Sequence, residues 1–303
     1  MKSPFKIILS IVVLFLTINL ISAQDKLDRE FMLDDLRKLS HDAAEGRATG
    51  TKGAEAARNY IAKSFNITKL KKYNKGYKHE FTFKNRSGET IEGINIIGYV
   101  KGEIDSTIVI TAHYDHLGIR DSLVYNGADD NASGVAALLA IMDYIKQYKP
   151  RHTMIFAALD AEEMGLQGAK ALLEDDGIPV ENIVLNINMD MISRNNKNEL
   201  HIAGTSQNPE LKPFIEKVNT DVIRFKFGHD TKDLGKDDWT FSSDHGPFHQ
   251  KGIPFLYFGV EDHEDYHKPT DTYENVSKPF YTKVSNLILE VLLELDKGLD
   301  QND

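Results

Sequence analysis

The apolar positions of this chain repeat with two periods, and the switch between them marks its elements. From Asp25 to Ser40, Leu27, Phe31, Leu33, Leu36 and Leu39 form the stripe of an amphipathic helix. The glycine-punctuated run 43–53 separates it from a second helix over about 54–65, with Ala56, Ala57, Tyr60 and Ile61 inward. The stretches 78–84 and 91–100 read as strands joined at Arg86-Ser87-Gly88, and the basic cluster 69–78 reads as a solvated turn. Further on, strands at 107–112, 153–159, 182–189 and 253–260 alternate with helices at 133–147, 166–175, 209–219 and 279–298. The last carries Phe280, Val284, Leu287, Ile288, Val291, Leu292 and Leu295 on one stripe. Ile108, Val109 and Ile110 form a continuous apolar run, as in a strand buried on both faces. Such alternation predicts an α/β fold: a three-layer α/β/α single domain with a mixed, mostly parallel central sheet. Residues 24–94 are expected to pack as helices and strands on a unit spanning 95–303.

Charge and composition narrow the partners. The formal net charge is −10, so nucleic acid and anionic membranes are poor candidates. There is no cysteine, hence no disulfide framework, and stability must come from a core that this length can supply. Lys2 and Lys6 precede a mainly apolar run from Ile7 to Ile21, and Ser22-Ala23 offers a small-residue cleavage site before Gln24. Residues 1–23 therefore read as a secretory signal peptide cleaved after Ala23. The expected address is periplasmic or secreted, with no stable membrane association after cleavage.

Acids and histidines gather where the strands should stop. His113 and Asp115 end one strand; Asp129 and Asp130 lie on the loop into the next helix, with Asn131 or Ser133 as its cap. Asp160, Glu162 and Glu163 follow a second strand, Asp190 a third, and Glu261 to His267 a fourth. Neighbouring strands would bring these ends into one crevice. Two zinc ions need two histidines, two terminal carboxylates and a bridging one, and His113, His267, Glu163, Asp190 and Asp130 supply that set. Glu162 is then left to act as general base, and Asp115 is placed to accept the other N–H of His113.

Five motifs in order, His113-x-Asp115, Gly127-Ala128-Asp129-Asp130-Asn131-Ala132-Ser133-Gly134, Ala161-Glu162-Glu163-Met164-Gly165, Asn188-Met189-Asp190-Met191 and Tyr266-His267, resemble the M28 family of co-catalytic zinc metallopeptidases. The resemblance covers about 95–300, and the Glu45-Gly46-Arg47 loop is similar to the N-terminal segment of many members. It implies His113 and Asp190 on one zinc, His267 and Glu163 on the other, and Asp130 bridging. It further implies Glu162 as general base toward a metal-bridging hydroxide, Tyr266 steadying the tetrahedral intermediate, and a cis peptide at Asp130–Asn131. The short link from 95–100 to the His113 strand implies no protease-associated insert.

Other residues carry plainer expectations. Asp129 reads as a turn or cap residue and Asp160 as a strand-end cap. His116, His245, His249 and His263 line a pocket or surface. Residues 242–248 form either a pocket wall or a structural loop, Arg194 pairs with an acid, Trp239 and Phe241 serve lid or core, and Gly46 and Arg47 organise their loop. The first functional expectation is an exported dizinc aminopeptidase acting on peptides. Alternatives are a carboxypeptidase, dipeptidase or other amidohydrolase on the same site, a glutaminyl cyclase, or a binding module on a peptidase scaffold.

Overall fold

The computed structural model describes residues 25–299 except 74, 219, 232 and 233, so the segment read as a signal peptide lies outside the described residues. The strands are β1 (Lys71–Lys72), β2 (Lys78–Lys84), β3 (Thr90–Val100), β4 (Thr107–His113), β5 (Gly118–Arg120), β6 (Leu123–Tyr125), β7 (Thr153–Leu159), β8 (Ile183–Met189), β9 (Glu199–Ala203), β10 (Arg224–Phe227) and β11 (Phe255–Gly259). The helices are α1 (Arg29–Leu39), α2 (Lys52–Thr68), α3 (Gly134–Tyr148), α4 (Gln167–Glu174), α5 (Lys212–Glu216), α6 (His245–Gln250) and α7 (Lys278–Gly298).

Nine strands make one mixed sheet, ordered β1-β3-β7-β4-β8-β11-β9-β10, with β2 also paired to β3. The central neighbours β7, β4, β8 and β11 run parallel, while β3 and β9 join them antiparallel. Every residue of β4 and β7 is buried, as their continuous apolar runs require. Alternate side chains serve opposite faces. Ile108, Ile110 and Phe156 join the core beneath α1, α2, α3 and α7, whereas Val109, Ile155 and Ala157 meet Leu172 of α4 and Phe248 of α6. The result is an α/β fold with helices on both sides of the sheet.

Local chemistry sets several boundaries beyond the expected ones. Thr51 caps α2 by accepting from Ala54 N, and Lys69 ends it in a left-handed conformation. The basic cluster contributes β1 to the sheet, pairing Lys71 with Tyr99. The helix expected over 209–219 is a 3-10 turn, Pro209–Leu211, followed by the short α5. The strands β9 and β10 and the helix α6 have no counterpart among the sequence expectations. Over five and four residues β9 and β10 interleave polar with apolar side chains and lack the continuous apolar run that marks β11, and the six residues of α6 include Gly246 and Pro247. No helix among the described residues is long and apolar enough to cross a membrane.

One buried acid makes the stability depend on pH. Asp35 in α1 is fully buried, and burial pushes its carboxyl up to about 6 while a hydrogen bond from the Tyr60 hydroxyl opposes the shift. Because the folded-state value is raised, the protonated form favours folding at low pH and that advantage is lost as pH rises through about 6. Between pH 4 and pH 7 the Asp35 contribution should fall by roughly 2 kcal/mol, and Asp35→Asn should remove that difference in urea unfolding at the two pH values.

Candidate metal centre

The parallel strands β7, β4, β8 and β11 stop at a common edge, and their ends carry the polar side chains. His113 is the last residue of β4, Asp190 follows β8, Glu162 and Glu163 follow β7, and His267 lies on the loop after β11. Asp130 enters from the turn before α3 and lies between them. One carboxylate oxygen is 3.4 Å from His113 Nε2; the other is 3.1 Å from His267 Nε2 and 3.7 Å from His116 Nδ1. Asp190 Oδ1 is 3.3 Å from His113 Nε2, while Glu163 Oε1 is 2.9 Å from His116 Nδ1 and 3.5 Å from His267 Nε2.

These separations fit metal coordination. Tetrahedral zinc with bonds of ~2.0–2.1 Å spaces its donors by ~3.3 Å. His113, Asp130 and Asp190 form one donor group, and His116, Asp130 and Glu163 form another that shares Asp130. Although Glu163 Oε1 and His116 Nδ1 are 2.9 Å apart, neither they nor His116 Nε2 makes a well-aligned hydrogen bond among the described residues, which a cation between them would explain. His116, expected only to line the crevice, therefore offers the second group a nitrogen beside that of His267.

The charges in the cluster shift one another. Burial works against the charged forms throughout. It is outweighed at Asp130, which His116, His113 and His267 hold well below the usual carboxylate range, and at Glu163, which His116 and His267 lower to about 2. Asp190 and Glu162 with the other carboxylates raise His113 well above its ordinary value, and Asp130 with Glu163 raises His267 to about 10. Protonated imidazoles here stand where a divalent cation would supply the same positive charge. Burial raises Glu162 well above the usual range; His113 opposes this, and Asp190, Asp244 and Asp115 reinforce it. The carboxyl of the fully buried Asp244 is pushed up by burial to about 8.

Hydrogen bonds to the main chain hold the loops. The Asp115 carboxylate accepts from Glu162 N at 3.0 Å and Glu163 N at 3.2 Å. Its distance to His113 Nδ1 is 3.7 Å, and the shorter contact of that nitrogen, 3.1 Å, is to the Asp115 main-chain oxygen. The orienting acceptor expected from the Asp115 side chain is thus met more closely by its carbonyl, and the side chain fixes the Glu162–Glu163 turn. Asp271, absent from the sequence reading, accepts from both Asp129 N and Asp130 N. Asp129, expected as a turn or cap residue, instead accepts from the distant Ser193 N and pairs with His263, tying its loop to two other segments. The Asp130–Asn131 peptide is cis, and the Asn131 side chain ties Met189 O to Gly134 N. Asp160 accepts from Ile94 N, the Tyr114 hydroxyl and Ala161 N at the end of β7. Gly127 has φ +53, and a Cβ there would meet His116 at 2.6 Å and Asp130 O at 2.1 Å, so only glycine fits.

The remaining expected residues fall around this centre. The Tyr266 ring stacks on His267 at 3.9 Å, and its hydroxyl is kept protonated by burial and by Asp130 and Asp190. Ser243 accepts from Asn188, and His245 donates Nε2–H to Trp239 O, so of 242–248 all but the exposed Ser242 form a buried support behind β8. Arg194 pairs with Glu264 and Asp265. Arg47 is wholly buried and donates to the carbonyls of Leu39, Tyr114, Asn126 and Gly127.

A mixed sheet whose central strands run parallel and carry a histidine–carboxylate donor set at their C-terminal edge defines an α/β protein with a candidate metal centre. Residues 95–292 match the profile of peptidase family M28. The chain belongs to that family. It is 27% identical over 222 residues to Aminopeptidase YwaD of Bacillus subtilis, covering 71% of this chain and 46% of that protein. It is also 28% identical over 222 residues to the BOS complex subunit NCLN of Canis lupus familiaris, covering 66% and 39% respectively. The chain thus spans less than half the length of these relatives. The zinc aminopeptidase BSAP from Bacillus subtilis superposes with a TM-score of 0.72 at 17% identity, over 88% of this chain and 95% of that one. Porphyromonas gingivalis glutaminyl cyclase also gives 0.72 at 17% identity, over 88% and 98%.

Two substitutions test the construction. Arg47→Met strands four buried carbonyl oxygens and should cost about 3–5 kcal/mol in urea unfolding. His116→Phe keeps the ring volume and should weaken zinc retention about 10–100-fold against a competing chelator. Unchanged retention would reduce His116 to a space-filler.

Proposed function

We propose that this chain is an exported dizinc metallo-aminopeptidase that removes N-terminal residues from peptides. The single observation carrying the reading is Asp130, whose two carboxylate oxygens each face a different donor group. His113 and Asp190 would hold one ion, Glu163 and His267, with His116 beside them, the other, and Asp130 would join the two. When bound, such ions lower the pKa of water and polarise a carbonyl. Glu162, raised by burial among carboxylates, is suited to take a proton from the attacking water and return it to the departing amine. Tyr266, neutral and stacked on His267, has an O–H to offer a developing oxyanion.

The commitment of Arg194 favours an amine over a carboxylate: it is paired with Glu264 and Asp265 and is not free to clamp a C-terminal carboxylate. Export rests on the apolar segment 7–21, its flanking lysines and the small residues at 22–23.

The test compares aminoacyl chromogenic amides with their N-acylated forms, with and without chelator. Zinc-dependent release from the free-amine substrates alone supports the proposal; equal turnover of blocked substrates, or cyclisation of N-terminal glutamine instead, overturns it. Glu162→Gln should retain wild-type zinc content while kcat falls about 10²–10⁴-fold.

A further inference from the structure

A second group of metal-binding side chains lies on the other half of the sheet. His201 is in the middle of β9, where it is paired with Gly259 of β11 on one side and Lys226 of β10 on the other. Two residues past Gly259 the chain reaches Glu261, and three past Lys226 it reaches His229. Strand pairing therefore delivers the three side chains to one place, with one donor atom of each within 4.8 Å of the other two. None of them belongs to the centre built on Asp130.

The arrangement asks for a ligand in two independent ways. His201 is 3% exposed, yet neither ring nitrogen has a hydrogen-bond partner among the described residues. A buried imidazole ordinarily has one, because leaving it bare forfeits the hydrogen bonds that water would supply. His229 is fixed in the complementary way. Its Nδ1 is 2.9 Å from the carbonyl oxygen of Asp237, which can only accept, so Nδ1 carries the proton and Nε2 presents its lone pair. An imidazole whose second nitrogen is anchored by a main-chain carbonyl is oriented as metal ligands usually are. Its ring is also held face to face with Trp239, centroids 3.8 Å apart at 8°.

We propose that His201, His229 and Glu261 form a second, peripheral metal site that takes one zinc-class divalent ion. Two imidazoles and one carboxylate are a zinc-type donor set, with the fourth position left to water. Calcium and magnesium, which take oxygen ligands, are disfavoured. The ion would clip together the ends of β9, β10 and β11.

Trp239 gives the test its own readout, since it is the only tryptophan in the chain. The purified full chain is dialysed against buffered zinc and its metal content is measured. In parallel, Cu²⁺ is titrated while tryptophan fluorescence is followed. His229→Gln and His201→Phe should each hold about one zinc less than wild type and lose the Cu²⁺-dependent quenching, with activity kept. His229 and Glu261 are at or near the surface, so His229→Gln and Glu261→Gln keep the test valid if His201→Phe does not fold. Asp190→Asn lowers zinc content through the other centre but should leave the quenching intact, which separates failure there from failure here. Equal zinc content in wild type and His229→Gln, or quenching that survives in that variant, would overturn the proposal.

Discussion

Negative charge confined at one sheet edge is the constraint on which the rest of this structure depends. Asp115, Asp130, Glu162, Glu163, Asp190 and Asp244 crowd the ends of four parallel strands, and water does not reach most of them. Like charges so placed repel strongly where the dielectric is low, so positive charge must be among them. Three imidazoles face these acids, and Asp130 touches all three. An arrangement of this kind suits cations that bind several acids at once, and it explains why the groups shift one another in opposite directions. The imidazoles outweigh burial at Asp130 and Glu163, which are lowered, whereas burial prevails at Asp190 and Glu162, which are raised although His113 opposes it at both.

Holding such a cluster requires rigid loops, and the fold supplies them by turning main-chain groups toward charged side chains. Asp271 takes the N–H groups of Asp129 and Asp130, Asp115 those of Glu162 and Glu163, and Asp160 those of Ile94 and Ala161. Arg47 does the reverse, supplying donors to four carbonyls from three separate segments. Its pKa is lowered by burial to about 10, which leaves it charged at neutral pH, and the acids at the centre help to keep it so. The loop 42–47 is thus a structural clamp on the centre, and its arginine is spent on the backbone.

The apolar patterning determined the α/β class, the four central strands and the helices α1, α2, α3, α4 and α7, because buried strands show short continuous apolar runs and the helices between them a stripe repeating every three to four residues. The order of acids and histidines at the strand ends likewise marked His113, Asp130, Glu162, Glu163, Asp190 and His267, since a parallel sheet brings such ends together wherever they lie in the chain. Tertiary structure decided what depends on distance. It set His116 beside Glu163, put Asp271 under the Asp129–Asp130 backbone, gave Asp115 to a turn and committed Arg194 to its acids. It also paired β9 with β10 and β11, which gathered His201, His229 and Glu261. The strands β9 and β10 interleave polar and apolar residues with no continuous apolar run to announce them, and a side chain's partner is chosen by geometry that spans dozens of residues. Such contacts exist only once the sheet has formed.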